Sequence, residues 1–335
     1  LILLITRCNR ERLRCYNLFR MSLTFLASTW ALAFLASTWA YDEQEIARLS
    51  SLATAARLLH ENGIDWHPRW KALFPNPCGL YFIQLGANTG KRLNVHGVRA
   101  TPDPIWDHMA RYGWRGAAIE PNPQTFKVLR RNYERYSALV KTLNVAVASA
   151  SGNLTFYCPD LRPKDLRMHI TPLQASEGCT THARYGPSIS KSRGNQFVLP
   201  ALTLADLWAE LRPAAVDVLV MDLEGTEAEL LPTPLPTPKP TAVLFEISGF
   251  SEQRAFPRQE GARRLRACHR SLREQGYVPL VSAALTDYNA SRSSLGEVFM
   301  HKHKDELWMR ASHLPRAGAV HAPVESCTPA ASAKQ

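Results

Sequence analysis

The residues of this 335-residue chain that could do chemistry gather at the ends of short apolar runs. The first run, Tyr81–Leu85, contains Gln84 and opens into Gly86-Ala87-Asn88-Thr89-Gly90. Glycines there let backbone pass close to a ligand, and a following helix start offers free N–H groups to a carboxylate or phosphate. The spacing is Gly-x-x-x-Gly; it lacks the Gly-x-Gly-x-x-Gly pattern that accommodates a dinucleotide pyrophosphate, which disfavours a nicotinamide dinucleotide. A plain tight turn is the simpler alternative. A second run ends in Glu120-Pro121-Asn122-Pro123. An acid at the tip of a second strand can accept hydrogen bonds from both hydroxyls of a ribose, or it can merely complement the dipole of the next helix. A later run closes with Asp222-Leu223-Glu224-Gly225-Thr226-Glu227. Strand alternation sets Asp222 and Glu224 on one side, where the pair could orient an ammonium group, bind a metal or act as general base. Capping of the next helix is their structural alternative. Glu246, followed by Ser248 and Gly249, ends one more run.

The elements that must position these groups follow from the hydrophobic pattern. Short apolar runs at 81–85, 116–120, 139–148, 216–222, 241–247, 277–283 and 296–301 read as strands. Helical stretches are expected near 104–112, 123–135, 203–211, 225–231 and 259–275. Near-continuous apolar strands joined by helices predict an α/β fold with a doubly wound, mostly parallel, seven-stranded sheet covered on both faces. All four clusters then fall at the carboxyl ends of strands, where ligands bind in open α/β sheets. Residues 159–199 are polar and aperiodic and read as an insertion. Residues 232–240, PTPLPTPKP, predict a stiff, extended surface connector.

Composition narrows the class. With 45% hydrophobic and 21% charged residues, the chain is neither wholly disordered nor a polytopic membrane protein. Of the net charge of +11, the first twenty residues supply +4, through Arg7, Arg10, Arg12, Arg14 and Arg20 against Glu11. The rest is dispersed, with no basic helix interleaved with aromatics, so no nucleic-acid partner is expected. Residues 21–41 carry no charge and have the layout of a secretory signal or membrane anchor, although six Ser and Thr side chains make the segment only moderately apolar. The motif FLASTWA occurs twice within it, at 25–31 and 34–40, and reads as a local duplication. Residues 42–78 form a helical lead-in, with Ile46, Leu49, Leu52, Ala56 and Leu59 on one face. Beyond 311 the Ala, Pro and Ser content predicts a disordered tail to 335. Seven cysteines without a Cys-x-x-Cys pair argue against a zinc ribbon and read first as buried thiols; Cys158 with Cys179 would close the shortest disulfide loop in the body of the protein. His301 and His303 alternate on a strand with no third ligand in sight, so no metal is assigned. Asn153-Leu154-Thr155 and Asn289-Ala290-Ser291 are glycosylation sequons, meaningful only in a secreted chain.

Taken in order, LGANTG, YGWRGAAIEPNP, NVAVASASGNLTFY, LTLADL, DVLVMDLEGTEAELL and AVLFEI resemble the FkbM-type family of S-adenosylmethionine-dependent methyltransferases over about residues 79–300. The resemblance implies a class I methyltransferase (Rossmann-like) fold over 79–310 with S-adenosyl-L-methionine as cosubstrate. It implies that Gly86, Asn88 and Gly90 form the methionine-side loop, that Glu120 holds the ribose with Asn122 near it, and that Asp222 and Glu224 face the reaction centre. Gln84 stands where the family's first motif usually carries an acid; its amide can still accept a hydrogen bond. The acceptor implied is a hydroxyl on a small molecule or glycan, with His182 a distant second base. Two other readings compete: a nicotinamide-nucleotide oxidoreductase, and a non-catalytic module tethered to a membrane through residues 21–41.

Overall fold

The computed structural model describes residues 70, 73, 74, 76–90, 103–157, 196–223, 225–247, 258–281, 305–314 and 327. All of them belong to the unit Ser51–Gln335. The strands, in chain order, are β1 (Tyr81–Leu85), β2 (Arg115–Ile119), β3 (Val140–Leu143), β4 (Ala146–Val147), β5 (Gly152–Tyr157), β6 (Gln196–Leu202), β7 (Val218–Met221), β8 (Ala242–Glu246), β9 (Tyr277–Val281) and β10 (Asp305–Arg310). The helices are α1 (Trp106–Tyr112), α2 (Pro123–Tyr133), α3 (Leu204–Leu211), α4 (Glu227–Leu230) and α5 (Arg258–Glu274).

Seven strands form the main sheet in the order β3-β2-β1-β7-β8-β10-β9. The first five of these run parallel, and β10 enters antiparallel between β8 and β9. The expected α/β class and seven-stranded, mostly parallel sheet are both present. Strand alternation divides β1 between two apolar layers. Ile83 and Leu85 join Leu207, Trp208, Leu230, Leu265, Cys268 and Leu272 on the face covered by α3, α4 and α5. Phe82 joins Trp106, Met109, Tyr112, Leu129 and Tyr133 on the face covered by α1 and α2. In α5 the buried Leu265, Cys268, His269 and Leu272 recur at the three- and four-residue spacing of one helix face. Helix starts are set locally: Asn122 caps α2 and Thr203 caps α3 in a reciprocal box with Asp206.

Several expectations need correction. The run at 139–148 is two strands, not one. Asn144 breaks it, because its Nδ2 donates to the carbonyls of Glu120 and Pro121 at 2.9 Å each, and β4 leaves for a separate sheet of order β4-β6-β5. That sheet packs Ala146, Ala148, Phe156, Leu199 and Ala201 together. Its strands β5 and β6 were hidden by Gly152 and Pro200, and β6 takes residues 196–199 away from the expected insertion, whose residues 159–195 lie outside the described set. The expected strand 296–301 also lies outside it, and the seventh strand is β10. Its acidic start disguises it, yet Glu306 is fully buried, accepting from Trp308 Nε1 at 3.0 Å and hydrogen-bonded to His269 Nε2 at 2.7 Å.

The Pro-rich connector lies at the surface, with Pro232, Thr233, Pro234 and Thr237 exposed, and is anchored at points: Leu235 is buried, Trp208 Nε1 donates to Pro238 O and Tyr277 Oη to Pro240 O. The tail does not begin in disorder. Ala311–His313 is a short 3-10 turn whose Ala311 N–H donates to Gly276 O at 2.9 Å. Cys327 is joined to Cys78 by a disulfide, so these two are not the buried thiols expected. Cys268 does remain a buried thiol, pushed up to about 12 chiefly by that burial. Cys158, Cys179 and residues 1–69 lie outside the described residues, among them the leader 21–41 and most of the lead-in 42–78, of which Trp70 and Leu73 are described and helical. Among the described residues no helix is long and apolar enough to cross a membrane.

Candidate functional site

Sheet register brings the chemistry-bearing residues into one row. Leu85 pairs with Ile119 on one side and Met221 on the other, and Met221 pairs with Phe245. The next residue of each strand is therefore Gly86, Glu120, Asp222 and Glu246, side by side at the carboxyl edge. Beyond Glu120, Asn144 holds the tip of β2 through its two carbonyl contacts.

The turn after β1 is shaped by left-handed backbone at Gly86 (φ 74°), Asn88 (φ 48°) and Gly90 (φ 67°). A Cβ on Gly86 would lie 1.8 Å from the Asp222 carbonyl oxygen, and one on Gly90 would lie 2.2 Å from Tyr133 Cε2. Both positions need glycine, for conformation and for space. Gly86 N–H and Ala87 N–H donate to Ile119 O at 3.0 and 2.9 Å, which pins the turn to β2.

Glu120 ties this turn to the second strand. Its Oε2 accepts the Asn88 N–H at 2.9 Å and its Oε1 accepts the Asn122 N–H at 2.8 Å. The carboxyl is 7% exposed, and burial raises it to about 7 against the lowering effect of those two N–H groups. Asn122 Oδ1 accepts from Gln124 N and Thr125 N, so this residue caps α2 as well as flanking Glu120. Gln84 sits beneath the turn, 4% exposed, and its Nε2 donates to Asp103 Oδ2 at 2.9 Å.

Asp222 lies on the exposed rim, with its N–H donating to Leu85 O at 3.0 Å. β7 ends at Met221, so strand alternation does not govern the residues after it, and Glu224 lies outside the described residues. The buried acid of this turn is Glu227, fully buried, which accepts N–H groups of Leu223 and Gly225. Burial raises its carboxyl to about 8, with the Glu246 charge adding to the effect. The sequence shows three acids in six residues here but not which one turns inward. Gln84, Gly86, Asn88, Gly90, Glu120, Asn122 and Asp222 thus share one end of the sheet. Asp103, Tyr133, Asn144 and Glu227 complete it without having been singled out beforehand. His182, His301 and His303 lie outside the described residues, among which no group of three or more His, Cys, Asp or Glu side chains is arranged for a metal. A cavity of about 380 Å³ lies elsewhere, lined by Val145, Leu202, Asp206 and Ala209 among others, and takes in neither the glycine turn nor Glu120.

The family model of the methyltransferase FkbM domain matches residues 84–279, more than half of the chain. The chain belongs to the FkbM methyltransferase family. The matched span begins at Gln84 and runs into β9, so it contains the whole parallel part of the sheet apart from the start of β1. The crystal structure of a methyltransferase FkbM from Methylobacillus flagellatus KT is similar at 11% identity over 60% of this chain, with a TM-score of 0.27. The chain spans about half of that protein, 48% of its length. No curated protein matches the sequence. As an FkbM methyltransferase family member the chain has a Rossmann-like, mostly parallel sheet, and the row from Glu120 to Asp222 occupies its carboxyl edge.

Proposed function

We propose that this chain transfers a methyl group from S-adenosylmethionine to a hydroxyl on a small molecule or sugar, using residues 79–310 as its catalytic domain. The observation that carries the reading is the tie between Glu120 and the glycine turn. Asn88 N–H donates to Oε2 at 2.9 Å and Asn122 N–H to Oε1 at 2.8 Å, so acid and turn form one unit at the carboxyl edge. Each carboxylate oxygen keeps a further lone pair, which suits the two hydroxyls of a ribose. Gly86 and Gly90 hold the turn in its left-handed path, with the Asp222 carbonyl and the Tyr133 ring packed where their Cβ atoms would sit, so the shape of the turn beside Glu120 is fixed. These residues fit the cosubstrate's nucleoside and methionine ends in the order the family places them.

When bound, S-adenosylmethionine supplies a methyl group on a sulfonium, open to in-line displacement. The chain's own part is to align the acceptor and keep water out. A hydroxyl acceptor gives up its proton as its oxygen attacks. Asp222, exposed on the rim beside Gly86, takes that proton or orients the hydroxyl, and Glu224 is the other candidate for the role.

Titration calorimetry of the full chain with S-adenosylmethionine, S-adenosylhomocysteine and NAD tests the cosubstrate, followed by methyl transfer to a panel of hydroxylated acceptors. The adenosyl ligands are expected to bind and NAD is not. Asp222→Asn should lower kcat by roughly 100-fold or more while leaving the affinity for S-adenosylhomocysteine within a factor of about three. If neither adenosyl ligand binds, the chain keeps the fold without the chemistry, and the proposal fails.

A further inference from the structure

Gln84 departs from the pattern of its own strand and of its family. It lies on the face of β1 that also carries Phe82, looking into an apolar layer, yet it is 4% exposed. Its Nε2 donates to Asp103 Oδ2, and because an ionised carboxylate only accepts, that bond fixes which end of the amide points where. The other end, Gln84 Oε1, is buried with no hydrogen-bond partner among the described residues. Tyr133 Oη is in the same condition. The Tyr133 ring packs where a Cβ on Gly90 would sit and stands edge-on to Trp106 at 5.0 Å. Asp103 joins the two: it bonds Gln84, and its charge helps push the Tyr133 hydroxyl well above its usual range, after burial. Asp103 is itself held rigidly, its Oδ1 accepting the N–H groups of Ile105 at 2.8 Å and Trp106 at 2.7 Å.

Gln84 Oε1 and Tyr133 Oη are thus two buried oxygens able to accept N–H groups, one of them on the side chain that bonds the Asp103 carboxylate. The group that suits two oxygen acceptors and a negative charge is a small cation with several N–H donors. A primary ammonium has three.

We propose that Asp103, oriented by Gln84 and joined by Tyr133 Oη, binds the α-ammonium group at the methionine end of the cosubstrate, supplying the charge that Gln84 lacks. Gln84 is then a positioning residue that contributes one acceptor of its own, and the carboxylate reaches the same place from the segment before α1. This rests on the methyltransferase reading above and adds to it the residues that hold one part of the ligand.

The test uses calorimetry on the full chain with two probes: S-adenosylhomocysteine and its des-amino analogue, which keeps the nucleoside and carboxylate. Wild type should bind the amino ligand at least tenfold more tightly. Asp103→Asn keeps an Oδ1 for the Ile105 and Trp106 N–H groups; it should lose that preference, weakening S-adenosylhomocysteine tenfold or more and leaving the analogue within twofold. Tyr133→Phe removes one hydroxyl and leaves the ring, and should weaken only the amino ligand, severalfold. The double variant Gln84→Glu with Asp103→Asn moves the charge back onto β1 and should recover the amino-ligand affinity to within about threefold of wild type.

Equal weakening of both probes in Asp103→Asn would mark a merely structural role and overturn the proposal, as would an unchanged preference. Those results leave the methyltransferase reading standing. Wild type that binds neither probe removes both.

Discussion

Alanine at position 86 would set its Cβ 1.8 Å from the Asp222 carbonyl oxygen and 2.9 Å from the carbonyl carbon. Both are backbone atoms, held in place: Asp222 N–H donates to Leu85 O and Gly86 N–H to Ile119 O, each at 3.0 Å. Relief requires a separation larger by roughly 1.7 Å, since non-bonded heavy atoms rest near 3.5 Å, and it must come from moving β1 against β7 or remaking the turn. Overpacking of this kind costs about 1–3 kcal/mol. The left-handed φ of 74° adds about 1 kcal/mol for any residue with a Cβ. We therefore expect Gly86→Ala to lose about 2–4 kcal/mol of stability. Gly113→Ala is the internal control: it has φ 63° at the end of α1 and open space around its missing Cβ, so it carries the conformational part alone, about 1 kcal/mol. Urea unfolding of both variants with wild type isolates the strand contact as their difference. Equal losses in the two would show that β1 and β7 do not meet as closely as described. S-Adenosylhomocysteine affinity should fall at least tenfold for Gly86→Ala and stay near wild type for Gly113→Ala.

Two further outcomes are expected. Glu120→Ala removes the acceptor for two backbone N–H groups as well as the proposed ribose ligand, so calorimetry should show S-adenosylhomocysteine affinity reduced by about 10–100-fold; unchanged affinity would remove Glu120 from the binding site. Glu120 and Glu227 are raised from 4.5 to about 7 and about 8 by burial, so folding favours their neutral forms. Their contribution is complete below the unfolded value near 4.5 and is lost as pH rises through 7 and 8. Melting temperature should fall between about pH 4.5 and 8, less steeply in Glu227→Gln, and a flat profile for wild type across that window would contradict the burial of the two carboxyls.

The parallel core was legible because its strands are buried on both faces and read as unbroken apolar runs: 81–85 and 241–247 bracket β1 and β8 closely. Legibility failed where polar residues hold structural posts. Asn144 looks like an ordinary strand position until its amide is seen binding two carbonyls of the neighbouring strand tip. Glu306 sits near the start of a core strand because Trp308, two residues on, and His269 of α5 satisfy it, and the His269 partner 37 residues away is one no strand periodicity could reveal. The same division holds at the site. The glycine turn, Glu120 and Asp222 could be found from strand ends alone, since register places strand ends together. Asp103 and Tyr133 reach Gln84 and Gly90 from elsewhere in the chain, through contacts that only the folded sheet creates.

The bond between Cys78 and Cys327 spans 249 residues of sequence. One cysteine precedes β1 and the other follows the last described turn, so the covalent loop encloses β1–β10 and α1–α5. The span from Cys78 to Cys327 is topologically a closed ring. A cut in any connecting segment would open the ring without releasing a fragment, and the two pieces would stay one molecule for as long as the sulfurs remain joined. In the chain-entropy model a loop of this size restrains the unfolded ensemble by about 5 kcal/mol. Oxidising surroundings preserve that restraint and a reducing cytosol removes it, which makes the redox state of the compartment a term in the stability of this fold.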